Sequence, residues 1–419
     1  MDLKPGCLNK IEELIRKGVD LRNPLTLDIG EEVKVEQISG NKVIIYPGCR
    51  IYGDNIVISS GAQIGYEGPV TIENCQIGPK VELKGGFFKE SIFLEQAVVG
   101  LGAQVREGCI LEEQASAAHC VGLKQTILFP FVTLGSLINF CDCLMAGGTS
   151  RRDHSEVGSS YIHFNFTPDG DKTTPSLIGD VPKGVMLHRR PIFLGGQGGM
   201  VGPLRIGYGN VVAAGAILRD DVYEENKLII GKSYEGGILS YVPNLYSALA
   251  RIVKSNVLYL SNLAALEQWY VDVRQPFFRE QELGELLYAG AMEKVFRAKQ
   301  ERLIRLKAMA EKMPDSLLRS AKGKAGIRKR EFYDRVSELI QLFSTPLPSG
   351  SGEEQDRFLD LFQKHKADHS GAYIDVIRGM PAPMADSGTK WLQGIVDDHC
   401  NKASTILPSF EMNFEKSSI

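Results

Sequence analysis

The stretch Ile206-Gly-Tyr-Gly-Asn-Val-Val212-Ala-Ala-Gly-Ala-Ile-Leu218 decides the fold. Ile206, Val212 and Leu218 fall six residues apart, with small or turn-forming residues between them. An amphipathic helix repeats about every 3.6 residues and a half-buried strand about every 2, so neither sustains this spacing. A parallel β-helix of hexapeptide repeats does. Each hexad forms one short face, its aliphatic side chain points inward, and the small residues let the backbone turn a corner. Three faces make a coil of about 18 residues, and coils stack about 4.8 Å apart, the spacing of hydrogen-bonded strands.

Working outward, the same beat places Ile45 with Ile51, then Ile58, Ile64 and Val70, then Ile77 and Leu83, then Val99, Val105 and Leu111. The reading is a mainly β protein in three parts. Residues 1–40 are an N-terminal helix and lead-in, with Ile11, Leu14 and Ile15 on one helical face and Gly18 as its C-cap. Residues 41–243 are the hexapeptide-repeat β-helix. Residues 244–419 are an α-helical extension, in which a long helix from Leu283 to about Lys312 turns Met292, Val295, Phe296, Leu303, Leu306 and Ala310 to its apolar side. Residues 345–354 read as a flexible connection. Two interruptions, Gly147–Asp153 and Pro168–Pro191, are expected to leave the β-helix at corners, where repeat folds carry binding loops.

The chain has 419 residues, 43% hydrophobic and 24% charged, with a net charge of −3, the profile of an ordinary soluble protein. That balance points to no particular partner and implies neither nucleic acid nor a membrane surface, and none is expected. No apolar run approaches a membrane span, and the N-terminus has no apolar signal region. The eight cysteines lack zinc-type spacing and read as small core fillers in a cytoplasmic protein; no metal is expected. The basic stretch Lys294–Arg330 holds a single aromatic residue, Phe296, rather than a series interleaved for base stacking, and reads as a solvated helix face.

Several motifs then point to a family. Gly18-Val-Asp-Leu-Arg-Asn-Pro24, Val105-Arg-Glu-Gly108, Val121-Gly-Leu-Lys124, Gly135-Ser-Leu-Ile-Asn139, Asn165-Phe166 and Ile206–Val222 occur in one order. In that order they resemble the acetyltransferase half of the bacterial bifunctional N-acetylglucosamine-1-phosphate uridyltransferase / glucosamine-1-phosphate acetyltransferase. The resemblance runs from about Gly18 to Val222, and no uridyltransferase segment is present. It implies a left-handed β-helix, a homotrimer with sites between subunits, a sugar phosphate or nucleotide sugar of the UDP-N-acetylglucosamine type as substrate, and acyl-CoA, most simply acetyl-CoA, as co-substrate.

Carried over by residue, Arg106 and Lys124 hold the sugar phosphate, Asn139 stands at a sugar-contacting position, and Asn165, Phe166, Lys172 and Ala214 contact the acyl-CoA. Arg106 and Lys124 are 18 residues apart, so their spacing alone puts them at one corner of successive coils, a clamp for phosphate. The family's catalytic histidine is replaced by Ser136, whose hydroxyl is far too weak a base for an ammonium proton. His154, 18 residues after Ser136, and Glu156, at a family asparagine, are the candidate bases. His119, His163 and His188 read as packed or loop-exposed. His188-Arg-Arg-Pro191 reads equally as an anion contact or a solvated loop, and Gly195-Gly-Gln-Gly-Gly199 as a tight corner. Two functions follow: an acyl-CoA-dependent transferase, or a catalytically degenerate β-helix that binds a nucleotide sugar or serves as a scaffold.

Overall fold

In a computed structural model the described residues are 5–232, 236–346, 352–369, 371–412 and 414. The segment 347–351 of the expected flexible connection lies outside them, as does the chain end beyond 414.

The repeat residues build a left-handed parallel β-helix with a helical region after it. Face one is an eleven-stranded parallel sheet that begins at Asp20–Leu21 and ends at Leu228–Ile229. Faces two and three merge into a sixteen-stranded sheet, because Gly122–Leu128 and Asn139–Met145 run unbroken across their shared corner. The anchors Ile45, Ile51, Ile58, Ile64, Val70, Ile77, Leu83, Val99, Val105, Leu111, Ile206 and Val212 are all buried, and each such aliphatic side chain contributes about 1.5–3 kcal/mol. The ladder starts ahead of the first sequence anchor, since Asp20–Leu21 already pairs with Ile44–Ile45.

The helices are α1 (Pro5–Lys17), α2 (Val181–Gly184), α3 (Leu249–Trp269), α4 (Gln275–Arg279), α5 (Gly284–Ala310), α6 (Met313–Arg319), α7 (Gly323–Ser344), α8 (Glu353–Asp368), α9 (Tyr373–Arg378) and α10 (Ala382–Ile406). Helix α1 buries Ile11 and Leu14 over the first coil and ends at Gly18, whose φ of +105° suits a residue without Cβ; Ile15 faces solvent. The extension packs against the prism. Face one alternates an outward and a buried residue, as in Gln63–Ile64 and Glu82–Leu83. On face three both residues of Val57–Ile58, Ile92–Phe93 and Ile110–Leu111 are buried, because helices cover its outer side.

Helix α5 climbs this covered side. Glu282, just ahead of it, accepts a hydrogen bond from Ser39 Oγ at 2.8 Å, and Gly290 sits against Gln76. Higher up, Arg297 pairs with Glu90, Arg302 with Asp142 at 2.6 Å, and Met309 Sδ accepts from Thr173 Oγ1. The basic stretch is therefore not simply a solvated face. Lys294, Lys299, Arg302 and Lys329 are buried, and the first three pair with Glu293, Glu267 and Asp142. Phe296, expected on the apolar side of α5, is 54% exposed, because the buried stripe runs through Leu287, Ala291, Val295, Ala298 and Leu306 instead.

Candidate active site

Strand register fixes which side chains meet on successive coils. Gln104 pairs with Gly122 and Val105 with Leu123, so Arg106 and Lys124 follow side by side at the end of face two. Between them lies Glu107, with Oε1 2.5 Å from Lys124 Nζ and Oε2 3.6 Å from Arg106 Nε. Partial burial pushes the Glu107 carboxyl up, but the hydrogen bond and charge of Lys124, with Arg106 behind, outweigh this and hold it below the ordinary value. Spacing shows the two cations; the carboxylate that occupies them is in the neighbouring column and is not visible in the period.

A second column stands at the other edge of face two. Ala117, Leu134, Val157, Leu194 and Val212 are consecutive rungs of face one. Two residues beyond each rung come His119, Ser136, Ser159, Gly196 and Ala214, one above another. Ser136 Oγ lies 2.9 Å from His119 Nδ1, and Ser136 N–H donates to Ser159 Oγ at 3.2 Å. Asn139, exposed, opens face two on the Ser136 coil, in register with Gly122 and Ile162. Ser136, Asn139 and Ala214 thus share one edge. Gly195-Gly-Gln-Gly-Gly199 is a corner of this column, so close to the next coil that a Cβ at Gly195 would lie 2.4 Å from the Ala214 nitrogen.

Asn165, Phe166 and Lys172 lie on the loop that leaves face two above Lys124. Asn165 Nδ2 donates to Asp142 Oδ2 at 3.1 Å, Phe166 is 72% exposed, and the Lys172 carbonyl accepts from Arg302 at 3.1 Å. Arg302 of α5 ties this loop to Asp142, whose carboxyl burial pushes up despite that guanidinium. The role of α5 in shaping the loop has no signal in the repeat pattern. Pro168–Pro191 also completes a coil, supplying the face-three strand Ser176–Ile178 and then α2.

His154 and Glu156 stand elsewhere. The coil between Thr133 and Glu156 contains 23 residues rather than 18, because Gly148–Ser150 and Asp153–His154 form an antiparallel hairpin. The residue above Ser136 is therefore Ser159, and His154 sits at the opposite edge of face one. Arg151 folds the hairpin onto that face, donating to the carbonyls of Gln114 at 3.0 Å and Phe131 at 2.9 Å. His154 Nε2 is 3.9 Å from Glu156 Oε2, and its Nδ1 is 2.9 Å from the Arg151 carbonyl.

The remaining histidines divide. His163 is buried, 2.8 Å from Ser176 Oγ, and burial pushes its pKa down to about 4. His188 is exposed and lies 3.3 Å from the Arg378 carbonyl oxygen. His119, read from sequence as packed or loop-exposed, is the one that meets Ser136. The signal was there: Ala117 and Leu134 are 17 residues apart, so this coil is one residue short of the usual 18. Near His188, Arg189 lines a cavity of about 460 Å³ together with Lys183 and Lys390. Among the described residues no group of three or more His, Cys, Asp or Glu side chains could hold a metal ion. No helix among them is long and apolar enough to cross a membrane.

No protein-family model matches the chain. Curated proteins do. The bifunctional protein GlmU of Thermotoga maritima is 29% identical over 216 residues, 51% of this chain and 43% of the relative. GlmU of Staphylococcus haemolyticus is 28% identical over 214 residues, 51% of this chain and 42% of the relative. The chain thus spans less than half the length of these curated relatives. Among solved structures, the UDP-N-acetylglucosamine acyltransferase from Campylobacter jejuni aligns at 14% identity over 47% of this chain and 67% of that one, with a TM-score of 0.14, too low to bear on function. The resemblance read from the motifs is borne out: the β-helical half of this chain is a relative of the bifunctional GlmU proteins.

Proposed function

We propose that this protein is a cytoplasmic, homotrimeric acyltransferase that moves an acyl group from coenzyme A to the amine of an amino-sugar phosphate or nucleotide sugar of the UDP-N-acetylglucosamine type. The observation that carries this reading is the register of Arg106 with Lys124 on adjacent coils of a rigid ladder. Two cations held at one coil spacing match the several oxygens of a phosphate or diphosphate without costing much side-chain entropy on binding. Asn139 begins the same face, so a sugar anchored by its phosphate extends along face two toward the corner of Ser136 and Ala214. Asn165, Phe166 and Lys172, on the loop above, are proposed to take the acyl-CoA. The trimer draws support from the coverage of face three. Faces one and two remain open at their shared corner, with Phe193 at 39%, Val211 at 42% and Ile217 at 40% exposure.

The second reading, a degenerate β-helix that binds but does not transform a nucleotide sugar, is favoured by two observations. Ser136 replaces the expected histidine, and Glu107 already neutralises part of the clamp. Calorimetry with glucosamine 1-phosphate and UDP-N-acetylglucosamine, beside an assay of thioester consumption with common acyl-CoAs, separates the readings. Arg106→Ala and Lys124→Ala are each expected to weaken sugar-phosphate binding by about 1.5–3 kcal/mol, the scale of a charge-assisted hydrogen bond. Their losses should not add, because both act on one ligand. Binding without thioester consumption leaves the binder. Unchanged affinity in the double variant removes the clamp from both readings.

A further inference from the structure

We propose that His119 and Ser136 together form the proton acceptor of the transfer reaction; this rests on the acyltransferase reading above. The expected histidine of the family is absent from its own coil, but the column that should hold it still presents an imidazole one coil below. Ser136 Oγ and His119 Nδ1 are 2.9 Å apart, within the range of a serine hydroxyl donating to a bare imidazole nitrogen. The tautomer that allows this keeps its proton on Nε2.

Three features make the pair more than a chance surface contact. Ladder pairing of Ser116–Ala117 with Thr133–Leu134 sets the two side chains one coil apart on rigid backbone. Ser136 is further fixed from above, because its N–H donates to Ser159 Oγ at 3.2 Å. His119 also belongs to the clamp's own coil: it precedes Gly122–Lys124, so Lys124 and His119 stand at opposite ends of one face-two segment, and Ser136 sits on the coil directly above. A phosphate held at one end leaves the amine of its sugar directed to the other. His119 is exposed and Ser136 half-buried, so the corner is open to a ligand. His154 and Glu156, in contrast, lie across face one from this corner.

The step balances without another reactant. The sugar amine attacks the thioester carbonyl carbon, a C–N bond forms, and the C–S bond breaks as the tetrahedral intermediate collapses. The ammonium proton passes to Ser136 Oγ while the hydroxyl's own proton passes to His119 Nδ1. The imidazolium then returns a proton to the departing coenzyme A thiolate. Serine acts here as a relay, which removes the objection that its own basicity is too low.

The test measures thioester consumption, sugar-phosphate affinity and the pH–rate profile for wild type, His119→Ala, His119→Gln, Ser136→Ala and the double variant His119→Ala with Ser136→His. Both His119 variants are expected to lower kcat by about a hundredfold or more, with ligand affinity unchanged and the acid limb of the profile flattened. The double variant, which places an imidazole at the serine's own position, should recover most of the lost rate; a residue that only shaped the corner would give no such rescue. If wild type turns over and the His119 variants match it within about twofold, the pair is overturned while the transferase reading stands. Loss confined to His154→Ala or Glu156→Gln has the same meaning. If wild type consumes no thioester, the transferase reading fails and takes the pair with it.

Discussion

In the proposed phosphate clamp, Glu107 carries a charge that the ligand would have to displace. Its carboxylate lies against Lys124 and near Arg106, so an incoming anion competes with it for both cations. Glu107→Gln keeps the shape and removes the charge. It is expected to tighten sugar-phosphate binding several-fold, by about 1 kcal/mol, and to steepen its salt dependence, read by calorimetry at two ionic strengths. Weaker binding in that variant would show that Glu107 orients Lys124 rather than competing. At this scale the sequence reveals what the coil period repeats. Arg106 and Lys124 follow from an 18-residue spacing, whereas Glu107 occupies the adjacent column and joins them only through its side chain. His154 illustrates the converse. Its 18-residue distance from Ser136 counts as one coil only where no hairpin intervenes, and Gly148–His154 is such a hairpin.

Among the elements, the contact between the corner Glu112–Glu113 and the turn Tyr270–Arg274 holds two carboxylates against one guanidinium. Arg274 NH1 is 2.9 Å from Glu112 Oε1, Arg274 also pairs with Glu113, and Tyr270 donates to Glu112 at 2.5 Å. The Tyr373 ring lies 4.1 Å from the guanidinium carbon, and Glu95 adds a further negative charge near Glu113. Burial dominates and pushes both carboxyls up, against the pull of Arg274. The folded protein therefore binds a proton here more tightly than the unfolded chain. Glu112 favours folding most at the acid end of the window from 4.5 to about 7, and that contribution is lost as pH rises through it. Glu112→Gln, which cannot ionise, should flatten this part of the profile: relative to wild type, its urea midpoint should rise between about pH 5 and about pH 8. A constant difference across that range would refute the assignment. The helices themselves were legible, since glycine thins out after the repeats and apolar periodicity replaces it. Their packing was not, because a run of lysine and arginine does not say which side it faces. Adjacent buried residues such as Ile92–Phe93 and Ile110–Leu111 are the one sequence hint that face three is covered.

For the whole molecule, coverage of face three leaves faces one and two as the surfaces on which the proposed trimer would form. Phe193, Val211 and Leu228 form an outward apolar line on the last coils of face one, with Leu228 67% exposed. Phe193→Glu combined with Val211→Glu should convert a trimer to a monomer in sedimentation while leaving the far-ultraviolet dichroism unchanged. A wild-type monomer throughout the micromolar range would remove the inter-subunit site. Helix α5 adds a constraint on the growth of the chain over generations. Seven ladder steps separate Ile38 from Ile178 on face three, about 34 Å at the usual strand spacing. The 27 residues of α5 measure about 40 Å, so the helix works as a ruler laid along the prism. Losing one coil shortens the prism by about 4.8 Å, and removing three helical residues, about 4.5 Å, nearly restores the match in length. Yet three residues turn a helix by about 300°, which leaves it about 60° out of phase and swings Arg302 away from Asp142. Length and phase cannot both be corrected by one deletion. Solenoids ordinarily gain and lose coils freely; this one has its coil number locked by the helix beside it.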